Sequence, residues 1–370
     1  MMGVELAKIE LMTHGMNVSN SARRVIGGDE GRPLTLADYA STSGISMELE
    51  GNVWVNAPIV DHNPNFVGET PYTLDFRDGK FFVGQNGNLF GARPILVPAY
   101  HDGNADSGEP YRNLAITHTD RVRISPIEGC AIQCEFCDLP YDSRYRRKDV
   151  GDLLESVGVA LADKVQPAKH VLISGGTPKK ADYRYQNEVY ERVARAFHGI
   201  DVDIMMVPMP GLLDAQRLHD QGINGLSINL ELWNEDLRKR YMHGKGALDR
   251  EMYLGFIENA VKIFGEGKVR SLLMVGIEPM ADTLKGVEAL AQRSCDPVLS
   301  PFRPDPVTPL RNESPPSVEF LVETYQRARD IVEKFPKVAL GPRCIPCTHN
   351  TLTFSDGSEK YKNSNMRISA

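Results

Sequence analysis

From Val122 onward the chain alternates between short apolar runs and longer stretches with an apolar residue every three or four positions. Val122-Arg123-Ile124 alternates like a strand and leads into loop chemistry at Ser125-Pro126. His170-Val171-Leu172-Ile173 is a short continuous run suited to a buried parallel strand. Further strands are predicted at Val202–Val207, Gly225–Asn229, Arg270–Val275, Pro297–Ser300 and, last and shortest, Val338–Leu340. Between them, helical spacing covers Asp152–Val165, Tyr185–Phe197, Leu212–His219, Asp249–Phe264, Thr283–Gln292 and Val318–Phe335. Strand–helix alternation of this kind predicts an α/β fold: a barrel or partial β/α barrel of about six parallel strands with outer helices. In such barrels the reactive end is the end where the strands finish.

Residues 1–119 read differently. Gly, Asn, Asp and Pro are frequent and the apolar runs are short. Tyr72–Phe76, a turn at Arg77-Asp78-Gly79, and Lys80–Gly84 predict a hairpin, with a second turn at Asn86-Gly87. The expected organisation is therefore a β-rich module over 1–119, the barrel over 120–340 and a cysteine-containing tail over 341–370. His62, His101 and His118 stand singly in the module and are left out of the site.

The most informative stretch is Gly129-Cys130-Ala131-Ile132-Gln133-Cys134-Glu135-Phe136-Cys137, directly after the first strand. Three thiolates at C-x3-C-x2-C spacing can hold three irons of a cubane and leave the fourth without a protein ligand. A structural zinc site is the competing reading, but it usually pairs cysteines as C-x2-C and closes with a fourth ligand. The spacing, with aromatic Phe136 before the last cysteine, resembles the radical S-adenosylmethionine (SAM) enzymes. That resemblance implies a 4Fe-4S cluster on Cys130, Cys134 and Cys137. It also implies SAM chelated to the open iron and cleaved to a 5'-deoxyadenosyl radical that abstracts hydrogen from substrate.

Three further segments extend the likeness, mostly toward the biotin synthase group. Gly175-Gly176-Thr177 follows the second strand and is similar to the motif that binds the SAM amino group, with Thr177 where Glu is usual. Ser227, Asn229 and Glu231 share one face by alternation and are similar to the side chains that hold the SAM ribose. A helix N-cap region before Trp233 is the alternative there. Gly276-Ile277 sits on the strand that resembles the backing of adenine. The biotin synthase group carries a second cluster on cysteines within barrel strands. The strands here have none, which argues against sulfur insertion by that route.

Of the remaining cysteines, Cys295 reads as a packing thiol. Cys344 and Cys347 follow the last predicted strand, and by that placement face the substrate. With His349 they offer metal ligands for an auxiliary Fe-S cluster serving electron or group transfer. A hydrogen-donating thiol pair or merely buried thiols are the alternatives.

Composition narrows the partners. A formal net charge of -7 with one short basic cluster, Arg144 to Lys148, gives no reason to expect nucleic acid. No run of about 18 apolar residues predicts a membrane span. The first residues do not form a basic segment followed by an apolar one, so a cytoplasmic location is expected. Six cysteines in 370 residues do not make a disulfide scaffold. The expected function is a radical SAM enzyme acting on a small-molecule substrate, with a flavodoxin- or ferredoxin-type electron donor. A zinc-stabilised binding protein without catalysis is the reading from another class.

Overall fold

The computed structural model describes residues 3–27, 32–39, 44–63, 69–85 and 87–362. Six parallel strands pair in chain order: Arg121–Ile124, His170–Ile173, Val202–Met205, Gly225–Ser227, Val269–Val275 and Asp296–Pro301. Helices connect them, among them Val150–Leu161, Tyr183–Ala196, Arg250–Phe264 and Met280–Ala291. The last parallel strand pairs only with its predecessor, so the barrel is open along one seam. This is the expected partial β/α barrel. Buried Val122, Val171, Ile204, Leu226, Leu273 and Leu299 form its core with the inner faces of the helices.

Two details depart from expectation. An antiparallel edge strand, Ala115–His118, precedes the first parallel strand. Val338–Leu340 is buried but joins no sheet. There the Ala339 amide donates to the Asp296 carboxylate (2.9 Å) and the Gly341 amide to the Pro297 carbonyl (2.8 Å). A side chain has taken the place of a strand ladder. The C-terminal segment then runs up beside the last strand, where the Leu352 amide reaches the Leu299 carbonyl.

The N-terminal part is β-rich, as expected. Six strands lie in the spatial order Asn17–Val18, Thr73–Arg77, Lys80–Gln85, Asn88–Pro94, Ile45–Leu49, Val53–Ala57. The predicted hairpin turns through Asp78 (φ 49°) and Gly79 (φ 75°), both left-handed, as a type I′ turn requires. Asn86 of the second predicted turn lies outside the described residues. The helix Gly3–His14 carried no legible amphipathic stripe, because it is buried on several sides. Ile9 joins the barrel core, while Leu11 and Met12 join the core of the N-terminal sheet. From the same helix Lys8 donates to the carbonyls of Thr348 and Thr353, both at 2.9 Å, tying the first helix to the C-terminal segment. Among the described residues no helix is long and apolar enough to cross a membrane.

Candidate active site

The loop after the first strand sits where the strands end, held by backbone on two sides. Gln133–Cys134 pairs antiparallel with Met242–His243, and the Glu135 amide donates to the Tyr241 carbonyl. On the other side the Ala131 amide donates to the Thr177 carbonyl (2.9 Å), and the Thr177 amide donates to Cys130 Sγ (3.2 Å). Gly176 explains the diglycine. A Cβ there would stand 1.7 Å from the Gly129 carbonyl oxygen, so only glycine lets the two loops meet. The close approach is to the cysteine loop itself and not to the ligand that the diglycine suggests.

Cys130, Cys134 and Cys137 are free thiols lining one cavity of about 290 Å³. The same cavity is lined by Phe136, Gly175, Thr177, Ser227, Asn229 and Glu231. Ser227 donates to Asn229 Oδ1 (2.8 Å), as does the Leu272 amide (3.3 Å), so Asn229 has its NH2 left to offer. Glu231 adopts a left-handed φ of 68°, unusual for a residue with a side chain. It is held there by the Glu231 amide donating to Leu272 and the Met274 amide donating to Glu231.

Sequence reasoning missed two cations in this cavity. Lys245 Nζ lies 2.9 Å from Glu231 Oε1, and both side chains are largely buried. Burial alone would lower the Lys245 pKa, but the Glu231 carboxylate, together with Tyr253 and Cys134, raises the group above its ordinary value. No motif signals Lys245, which sits on a short turn after the helix Glu235–Tyr241. Arg123 also lines the cavity, and burial pulls its pKa down. Its signal was present: an arginine between two buried apolar residues on a barrel strand.

The radical SAM superfamily model matches residues 124–290, from the end of the first parallel strand into the helix Met280–Ala291. Residues 124–290 of this chain thus form a radical SAM domain. Superfamily membership carries with it the use of a 4Fe-4S cluster and SAM. A curated relative, the bacteriochlorophyllide c C-7(1)-hydroxylase of Chlorobaculum limnaeum, is 27% identical over 192 residues. That alignment takes in 51% of this chain and 41% of the relative, so the chain spans less than half of the relative's length. Among solved structures, the FeFe-hydrogenase maturase HydG from Carboxydothermus hydrogenoformans superposes with a TM-score of 0.47 at 14% identity. That superposition covers 66% of this chain and 61% of the maturase. A second structure of HydG gives 0.44 at 11% identity, covering 60% and 52% of the two chains.

The donor set suits the radical SAM cluster. Burial pushes the Cys134 thiol up to about 11, and burial followed by the Asp138 carboxylate pushes Cys137 up. Such thiols keep their protons until a cation replaces them. Among the described residues, the three sulfurs do not converge on a point within 4.8 Å, as ligands of one ion would. A four-iron cubane spreads its thiolates over separate irons.

Not every expected residue lies on this cavity wall. Ile277 packs in a small apolar cluster behind the cysteine loop with Cys134, Phe136 and Met242, not on the cavity wall. Gly276 (φ 111°) lies under the Pro316 ring, also off the wall. Next to them, buried Glu278 accepts from the Trp233 and Asn234 amides and positions the loop that carries Glu231. Cys295 is fully buried in the main core, as a packing thiol should be. Cys344 and Cys347 are at the opposite end of the barrel, beside Asp120 and His170 at the starts of the first two strands. Their placement at the mouth rested on a final strand, Val338–Leu340, that does not form. His349 does not join them. Pro346–Asn350 is a 3-10 turn, in which residues three apart eclipse and residues two apart diverge. His349 stacks on His118 instead, with Nδ1 3.1 Å from the Pro346 carbonyl.

Proposed function

We propose that this protein is a radical SAM enzyme that activates a C–H bond of a small organic substrate in the cavity of about 290 Å³. The observation that carries the reading is the meeting of Cys130, Cys134 and Cys137 with Gly175, Thr177, Ser227, Asn229 and Glu231 on one cavity wall. When bound, the cluster and SAM supply a carbon-centred radical able to abstract hydrogen. The chain's own residues do the rest. The cysteine loop is fixed by the Thr177 amide and by the Met242–His243 strand. Asn229 and Glu231 offer a donor and an acceptor suited to ribose hydroxyls. A flavodoxin- or ferredoxin-type donor supplies the electron. The relative's name, a hydroxylase, supports C–H activation as the reaction type.

Arg123 adds a ligand class. A guanidinium lining a largely apolar cavity favours a carboxylate, supplied either by SAM or by the substrate. Candidate substrates deuterated at the attacked carbon test the reading: deuterium recovered in 5'-deoxyadenosine supports it. SAM turnover with no label transfer from any carboxylate-bearing candidate, under conditions where that candidate is consumed, contradicts it.

A further inference from the structure

The end of the barrel where the strands begin is built from side chains that the radical chemistry does not use. Asp120 ends the turn before the first strand, and His170 opens the second. Cys344 and Cys347 come from the C-terminal segment that crosses beneath them. His170 Nε2 lies 3.4 Å from Asp120 Oδ1, 3.7 Å from Cys344 Sγ and 3.5 Å from Cys347 Sγ, and Cys344 Sγ lies 3.7 Å from Asp120 Oδ1. All four donor atoms fall within 4.8 Å of one another. One ring nitrogen makes one good hydrogen bond, yet this one faces three partners. Asp120 Oδ2 is buried with no hydrogen-bond partner.

We propose that Asp120, His170, Cys344 and Cys347 form a second, mononuclear metal centre of zinc type that fastens the C-terminal segment across the start of the barrel. Three facts bear on the assignment. Zinc bonds of about 2.0–2.3 Å at tetrahedral angles place neighbouring donors about 3.3–3.8 Å apart, the range of the four distances above. Two thiolates, a carboxylate and a neutral imidazole leave a divalent ion with one net negative charge. Arg121 lies near enough to act electrostatically on Cys347, and its buried Nε has no hydrogen-bond partner. A two-iron cluster, by contrast, would need its four donors divided between two metal atoms, not gathered around one point. The centre would also brace the chain beyond Cys347. The Ile345 amide donates to the Lys362 carbonyl and the Lys362 amide to the Arg343 carbonyl, so holding Cys344 holds the 360–362 segment too.

The role is structural. All four positions are filled by protein, which leaves no open site for substrate, and the cavity beside them holds only about 140 Å³. The proposal does not rest on the radical SAM reading, and its test separates the two. Metal analysis of full-length protein purified without oxygen should give one zinc per chain. That zinc should persist in the Cys130→Ala/Cys134→Ala/Cys137→Ala variant and vanish in Cys344→Ser/Cys347→Ser. Cobalt(II) exchanged into the parent should show tetrahedral d–d bands and thiolate charge transfer, which checks the site without any substitution. Absence of zinc with no cobalt spectrum overturns the proposal. So does zinc that is lost with the Cys130 loop, or about four irons per chain lost with Cys344 and Cys347.

Discussion

Replacing Glu231 by Gln tests how this wall of the cavity is held together. The Lys245 ammonium is 2.9 Å from the Glu231 carboxylate, with side-chain exposures of 7% and 14%. At an effective dielectric of 20 the attraction at that distance is about 6 kcal/mol. Desolvation offsets part of it, and breaking a buried pair from one side typically costs about 3–5 kcal/mol. Gln keeps one oxygen that Lys245 can donate to, so the expected loss lies near the lower end, about 3 kcal/mol. Urea unfolding of the metal-free protein measures it. Glu231→Gln/Lys245→Met should regain most of the loss, because the stranded charge is then gone. Calorimetry on cluster-loaded Glu231→Gln should show SAM binding weakened by about 1.5–3 kcal/mol through loss of a charge-assisted bond. A single variant within ~0.5 kcal/mol of the parent, or a double variant no better than the single, would refute the pairing. Full SAM affinity beside the stability loss would confine Glu231 to holding its loop.

Other outcomes rest on single contacts. Gly176→Ala drives a Cβ into the Gly129 carbonyl, which is backbone and cannot swing aside. A loss of about 1–3 kcal/mol and poor iron retention after reconstitution are expected, and normal iron content would remove the close-approach argument. Arg123→Gln should weaken a carboxylate: SAM's if calorimetry shows lower SAM affinity, the substrate's if SAM cleavage persists but uncouples from product. Unchanged behaviour in both assays would leave Arg123 without the role given to it. Burial lowers the Lys8 pKa from 10.5 to about 7. Between those values the unfolded chain holds a proton that the native state has shed, so stability rises with pH across that window, by up to ~1.4 kcal/mol per pH unit. Lys8→Met should flatten that rise in unfolding free energy, and an unchanged pH slope would contradict the burial argument.

The barrel was legible because parallel strands and their helices write their periods plainly, as His170–Ile173 and Arg250–Phe264 do. The cysteine triad and its polar companions were legible because local spacing carried them to one mouth. Contacts that depend on distant chain were not. The helix Gly3–His14 is buried on several sides and shows no stripe. Lys245 comes from a turn without a motif. The spacing of Cys344 and Cys347 marks a pair with chemistry, but the pattern does not say at which end of the barrel they lie. Their neighbours Asp120 and His170 are separated from Cys344 by 224 and 174 positions. His349, two residues from Cys347, was the nearer choice in sequence and the wrong one in space.

The central claim is that Cys130, Cys134 and Cys137 together hold the cluster that cleaves SAM. It is tested most directly by measuring 5'-deoxyadenosine and iron in anaerobically reconstituted, dithionite-reduced protein beside the three single Cys→Ala variants. The parent should carry about four irons per chain and form 5'-deoxyadenosine, and each variant should form none. A variant that cleaves SAM at the parent rate, or a parent that binds zinc on this loop and no sulfide, would contradict it.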